Sequence, residues 1–166
     1  MINKLKNVFP DLVEDGCYKL ISEKHTFIFE NEKAFFVKKQ PFHLHIENKT
    51  NQDIHFLQND NCIMKNNDGK QCDYVIFNAS NIYFTEVKVT KNNLSNHRKE
   101  AIKQLENTIK FYSKLYDLKN FEQLKAVICF KNLKRIAPQA STSSKQKEVK
   151  QKYNVNLEIG NYILFE

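Results

Sequence analysis

Three ionisable side chains sit where the chain is otherwise most apolar. Residues 72 to 89 read CDYVIFNASNIYFTEVKV, with Asp73 heading the first apolar run and Glu86 and Lys88 near the end of the second. An unpaired charge placed in such a run costs several kcal/mol if buried, so these three require a use. Asn78-Ala79-Ser80-Asn81 is turn-prone and separates the runs. If Phe77 and Ile82 flank that turn, Val75 faces Phe84 and Asp73 faces Glu86. Strand alternation then puts Asp73, Val75 and Phe77 on the same face as Ile82, Phe84, Glu86 and Lys88. Directly opposed residues have Cβ atoms about 4.5–5.5 Å apart, where like charges destabilise a hairpin unless something positive lies between them. A hard divalent cation bound by carboxylate oxygens would do so, and Lys88 reaches toward the same spot. A one-residue slip in register would separate the faces. The plainer alternative is an edge hairpin whose polar end lies in water, with a simple Glu86–Lys88 ion pair. It leaves unexplained why Val75-Ile76-Phe77 and Ile82-Tyr83-Phe84 are apolar on both faces.

The elements that must carry this hairpin are legible on both sides of it. Leu12, Val13, Cys17, Leu20 and Ile21 recur at helical spacing after Pro10, which predicts an amphipathic helix over residues 11–24. Residues 26–29, 34–37, 43–47 and 54–57 read as short strands between polar clusters, and Asn66-Asn67-Asp68-Gly69 as a turn. Past the hairpin, Ser95 is the expected N-cap of a long helix with Ala101, Ile102, Leu105, Ile109, Tyr112 and Tyr116 on its apolar stripe. Residues 124–130 (LKAVICF) suit a central strand. A polar, basic stretch follows, first loop and then a short helix near 144–152, before strand-like pieces at Asn156–Ile159 and Tyr162–Phe165.

Length and composition fit one globular domain over residues 1–166: 41% of the residues are hydrophobic, 27% are charged, and only three Gly and three Pro occur. No apolar run approaches the roughly 20 residues of a membrane span, and the N-terminus lacks the apolar segment of a secretory signal. Cysteines 17, 62, 72 and 129 form no CxxC pair, so the reading is reduced core thiols in a cytoplasmic protein, with disulfides the lesser alternative. The net charge of +7 suits an anionic partner. Lysine supplies 24 of the 26 cationic side chains in a chain rich in Asn, Ile and Phe, a profile that AT-rich coding produces by itself, so charge alone assigns nothing. His43-Leu44-His45, His25, His55, Cys62 and Cys72 lack the tight spacing of a zinc site. No glycine-rich phosphate loop occurs.

Asp73, a turn, and then Glu86-Val87-Lys88 resemble the core motif of the PD-(D/E)XK nuclease superfamily, in which an acid on one strand is followed by Glu-X-Lys on the next. The order of elements is also similar over roughly residues 10 to 130, although Cys72 stands where Pro is usual. The resemblance implies an α/β restriction-endonuclease-like core, a mixed central sheet with an antiparallel meander flanked by helices in the order αβββαβ. It implies Mg²⁺, with Mn²⁺ as a substitute, held by Asp73, Glu86 and the Val87 carbonyl. Lys88 would orient or help deprotonate a water or stabilise developing negative charge, and Gln104 resembles a helix glutamine placed beside such sites. Gln104 reads equally well as a polar residue bordering the apolar stripe. An upstream acid would be Glu14, Glu23 or Asp60. The implied activity is phosphodiester hydrolysis in nucleic acid, with DNA expected, in restriction, repair or defence. Lys131, Lys134, Arg135 and Arg98 are the candidates to grip phosphates, with Asn92, Asn93, Ser95 and His97 nearby; a solvated loop and helix is the plainer reading. Cutting both strands with one site per chain would suit a symmetric dimer. The rival classes are a catalytically inactive module of the same fold, binding nucleic acid or a protein, and a small immunity or adaptor protein.

Overall fold

Period-two alternation marks short segments between residues 25 and 58, and they resolve into strands of two different sheets. The computed structural model describes residues 1–31, 33–38, 40–65, 69–89, 93–130 and 140–166, with backbone alone at 140–142. Helix α1 (Ile2–Val8) and a 3-10 turn (Pro10–Leu12) lead into β1 (Tyr18–Ile21), β2 (His25–Asn31), β3 (Lys33–Val37), β4 (Leu44–Asn48) and β5 (Ile54–Gln58). The hairpin β6 (Tyr74–Phe77) and β7 (Asn81–Lys88) follows, then α2 (Leu94–Leu115) and β8 (Gln123–Phe130). Helix α3 (Ala140–Tyr153), β9 (Asn156–Ile159) and β10 (Tyr162–Phe165) complete the order. The turn expected at Asn66-Asn67-Asp68 lies outside the described residues, as do Asn92, Lys131, Lys134 and Arg135.

The chain is mixed α/β. A six-stranded sheet runs β1-β5-β6-β7-β8-β9, antiparallel through the meander and parallel from β7 onward. A second sheet, absent from the sequence expectation of one central sheet, runs β10-β4-β2-β3 and is parallel only between β10 and β4. The antiparallel run β5-β6-β7 and the β7–α2–β8 connection lie where expected, whereas the strands expected at 26–29, 34–37 and 43–47 belong to the second sheet. The six-stranded sheet is covered twice. On one side Val75, Phe77, Ile82, Phe84, Ala126 and Ile128 pack with Ala101, Leu105, Ile109 and Tyr112 of α2. On the other, Tyr74, Ile76, Tyr83, Val87 and Val127 pack with Ile28, Leu44, Ile46 and Phe165 of the second sheet. Every residue of β6 is buried for that reason, which is why its sequence shows no polar alternation.

Three expectations fail. Residues 11–24 do not form a helix. Gly16 adopts φ +70°, a left-handed turn that only glycine takes without steric cost, and the Cys17 amide folds back to the Leu12 carbonyl at 3.1 Å. The chain then extends as β1 along β5, and Val13 and Leu20 of the supposed stripe are 54% and 44% exposed. Helix α2 begins at Leu94, so Ser95 falls in its first turn instead of capping it. The cysteines are not all reduced either: Cys17 and Cys62 form a disulfide across 45 positions, and Cys72 and Cys129 are buried free thiols. Apolar context marks both kinds of cysteine alike, so the sequence did not separate them. The bridge also removes the ground for a cytoplasmic assignment. Among the described residues no helix is long and apolar enough to cross a membrane.

Loop closure across those 45 positions makes the disulfide worth about 4 kcal/mol in the chain-entropy picture. Reduction, or Cys17→Ser, should lower the thermal midpoint by roughly 10 °C in calorimetry. Thiol titration of the denatured, unreduced protein should find two thiols; four would remove the bridge from the account.

Candidate functional site

The hairpin pairs in the register that brings its acids together. Phe77 faces Ile82, Val75 faces Phe84 and Tyr74 faces Thr85. One step further the same register sets Asp73 opposite Glu86, on the α2 side of the sheet. Beyond the last pair the join is a side-chain contact: Asp73 Oδ2 accepts the Val87 amide at 2.6 Å. Glu86 is 2% exposed. Its Oε1 meets Lys88 Nζ at 2.7 Å, while Oε2 is buried without a hydrogen-bond partner among the described residues. Lys88 Nζ also donates to Gln104 Oε1 at 2.6 Å. Asp73, Glu86, Lys88 and Gln104 therefore converge, and Val87, whose carbonyl the resemblance would use, lies between the two charged residues of β7.

Helix α2 sets the position of the segment carrying Asp73. Gln104 Nε2 donates to the Gln71 carbonyl at 2.9 Å, and Thr108 Oγ1 accepts the Cys72 amide at 2.9 Å. Asn59 completes the clamp, donating through Nδ2 to the Cys72 carbonyl at 2.8 Å and accepting from Tyr112 Oη at 3.0 Å. Its own amide donates to the Asp73 carbonyl at 2.7 Å. Gln104 thus holds the amine of Lys88 and the backbone two residues before Asp73 with the two ends of one amide, a role beyond a polar border residue.

Of the three upstream acids expected, one lies at the site. Asp60 accepts Gln71 Nε2 at 2.5 Å, and its charge acts on Asp73 and on Glu86. Glu14 is exposed in the turn before β1, and Glu23 lies past Ile21, at the end of the sheet opposite Asp73. Arg98 is only 6% exposed, so it does not offer a guanidinium to an incoming phosphate. Asn93, Ser95 and His97 lie at the N-terminal end of α2, where His97 Nδ1 stands 3.6 Å from Glu100 Oε2.

The sequence reading missed Glu30. It sits on β2 opposite Ala34, whose amide donates to Gln58 Oε1 at 3.1 Å, so this corner of the second sheet rests on the end of β5 just before Asp60. Glu30 Oε2 is buried without a hydrogen-bond partner among the described residues. The signal was available: Thr26 and Ile28 face the core, and the next residue in that alternation is an acid.

These carboxyls are crowded and dry. Burial pushes Asp73 up to about 6 against the pull of the Val87 amide and Lys88. Burial, reinforced by Asp73, pushes Glu86 up to about 8 although Lys88 opposes it. Glu30 rises to about 7 through burial, then through the charges of Asp73 and Asp60. Lys88 and Gln104 line an open cleft of about 410 Å³ together with Asp60, Lys70 and Gln71, while Asp73 and Glu86 lie behind its wall. Among the described residues no three or more His, Cys, Asp or Glu side chains converge as a metal cage. The all-oxygen set of Asp73, Glu86 and the Val87 carbonyl nevertheless suits a hard cation that keeps several waters. The unpartnered Glu86 Oε2 is the atom such a cation would satisfy.

Compared with known protein families, curated proteins and solved structures, the chain matches none.

A carboxyl whose pKa rises on folding stabilises the fold fully below its unfolded value, and that contribution is lost as pH rises through the folded value. For Glu30 the window runs from its ordinary 4.5 to about 7. In metal-free buffer Glu30→Gln should therefore melt about 3–6 °C above the wild type at pH 8 and level with it at pH 4, with added Mg²⁺ narrowing the gap. Equal midpoints at pH 8 would show that Glu30 lies outside the charge cluster.

Proposed function

We propose that this chain is a metal-dependent phosphodiesterase acting on nucleic acid, with DNA the first substrate to test, built on a restriction-endonuclease-like core. The observation that carries the reading is the convergence of Asp73, Glu86 and Lys88 on one sheet face, with Lys88 reaching the wall of the open cleft. The order meander, long helix, parallel strand supports it. The resemblance departs at the N-terminus, where β1 replaces the amphipathic helix, and in the second sheet, which supplies Glu30.

Asp73 and Glu86, with the Val87 carbonyl, would hold Mg²⁺ or Mn²⁺. When bound, the ion supplies Lewis acidity toward a phosphate oxygen and lowers the pKa of its water. The residues do the rest. Lys88, held by Gln104 at 2.6 Å, presents an ammonium at the cleft wall, where it can orient the attacking water or offset charge growing on the phosphate. Glu86 shares that ammonium, so neutralising Glu86 frees Lys88 for the substrate. Gln104 is a positioning residue, keeping Lys88 and the Asp73 segment in one frame. The cations for the phosphate backbone come from outside the Arg98 position, Lys70 at the cleft being one.

The direct Lys88–Glu86 ion pair at 2.7 Å favours a second reading, because an acid already paired with an ammonium has less need of a metal. That reading is a catalytically inactive module of the same fold, binding nucleic acid or a protein partner.

Incubation with labelled single-stranded, duplex and branched DNA and with RNA, in Mg²⁺ or Mn²⁺ and then in EDTA, separates the two. Metal-dependent cleavage should fall about 10²–10⁴-fold in Asp73→Ala, Glu86→Ala and Lys88→Ala, and about ten-fold in Gln104→Ala with the folded state retained. Binding without cleavage in every metal establishes the inactive module instead.

A further inference from the structure

The outward face of the four-stranded sheet is aromatic. Thr26 and Ile28 of β2 point into the core, so His25, Phe27 and Phe29 point out, and the pairing of β2 with β3 and β4 puts Phe35 and His45 beside them. Tyr162 extends the row through its pairing with His45. The rings touch in series: Phe27 stacks on His45 at 4.5 Å, Phe42 leans on Phe27 at 4.9 Å, and His45 meets Tyr162 at 5.3 Å. Burial and the neighbouring His25 hold the His45 imidazole below its ordinary pKa, which favours its uncharged ring. Phe35 is 52% exposed and Tyr162 44%, among the most exposed large apolar side chains of the described residues.

We infer that this face is a stacking platform for the bases of a single-stranded nucleic acid on its way to the cleft. Neutral, half-exposed rings laid out on neighbouring strands offer base-sized π surfaces and read no sequence. The charge around them suits a polyanion. Exposed Lys24, Lys33 and Lys38 lie at the ends of β2 and β3. Within the described residues of these four strands the only outward acid is Glu47, whose carboxylate is engaged by the Tyr162 hydroxyl at 2.5 Å. One end of the platform also lies near the edge of the candidate site, although on the other side of the second sheet. Phe29 immediately precedes Glu30, and Phe35 follows Ala34, which is bonded to Gln58 at the edge of the acidic cluster. The rings and the acids face opposite outer sides of the two packed sheets, so a strand leaving the Phe29–Phe35 end must round their shared edge, farther than the single sheet-packing distance of roughly 10 Å. The inference deepens the nuclease reading and rests on it only for this last step, since stacking itself needs no metal and no cleavage.

The test uses the full chain in EDTA, so that nothing is cut. The chain contains no Trp, and Phe35→Trp gives a single reporter on the platform. Its emission should be quenched on titration with a 15-mer of oligothymidylate and little changed by a duplex of the same length. Phe35→Ala and Tyr162→Ala should each weaken single-strand binding about ten-fold, while Tyr162→Phe retains it, with each variant still folded by circular dichroism because both side chains are about half exposed. Unaltered affinity in the alanine variants overturns the platform, as does tighter binding of the duplex. Self-association lost in Phe35→Ala reassigns the face to a second copy of the chain and equally overturns it. Quenching in a protein that cuts nothing in any metal upholds the platform and removes the nuclease; cutting with no quenching does the reverse.

Discussion

The contact from the Val87 amide to Asp73 Oδ2, 2.6 Å long, is the constraint on which the rest of the site depends. It carries the pairing of β6 and β7 one step past the last backbone rung and commits the Asp73 carboxylate to the side where Glu86 already points. Two buried acids side by side are unfavourable, and the structure answers with Lys88 on one of them and the Val87 amide on the other. Neither answer is complete. One oxygen of Glu86 stays dry and unpaired, and the hydrophobic layers above and below the sheet hold it there. The packing supplies the stability that the charge pattern costs, which is the usual relation between a scaffold and a reactive site.

The hairpin was legible because its information is local. Strand alternation and a four-residue turn admit few registers, and apolar residues on both faces signal a strand covered twice. The long helix was legible for a similar reason, its stripe from Ala101 to Tyr112 being all buried. Gln104 could be suspected but not settled, since its two hydrogen bonds join residues 71 and 88 and nothing in the helix itself reports them.

What the sequence concealed lies mostly in the pairing of distant segments. Leu12, Cys17 and Ile21 are buried as a helical stripe would require, yet Gly16 and a strand partner at β5 decide otherwise. Cysteine spacing carries no partner information, so the bridge between Cys17 and Cys62 looked like two more core thiols. Short strands at 25–48 gave no sign that they belong to a sheet of their own, and with that sheet come both Glu30 and the aromatic face. Basic residues suggested phosphate contacts, but Arg98 is spent inside the fold.

The closing of the second sheet by β10 bears on how the molecule is made. β10 lies parallel to β4 across more than a hundred residues of intervening chain, and Ile163 and Phe165 pack in the core that Ile28 and Ile46 begin. Contacts of such long sequence separation form late. On a ribosome, the layer that brings Glu30 toward Asp73 lacks its full packing until residue 165 has emerged. The Glu30 side of the acidic pocket thus waits on β10, and a nascent chain carries its ingredients well before it carries the assembled site.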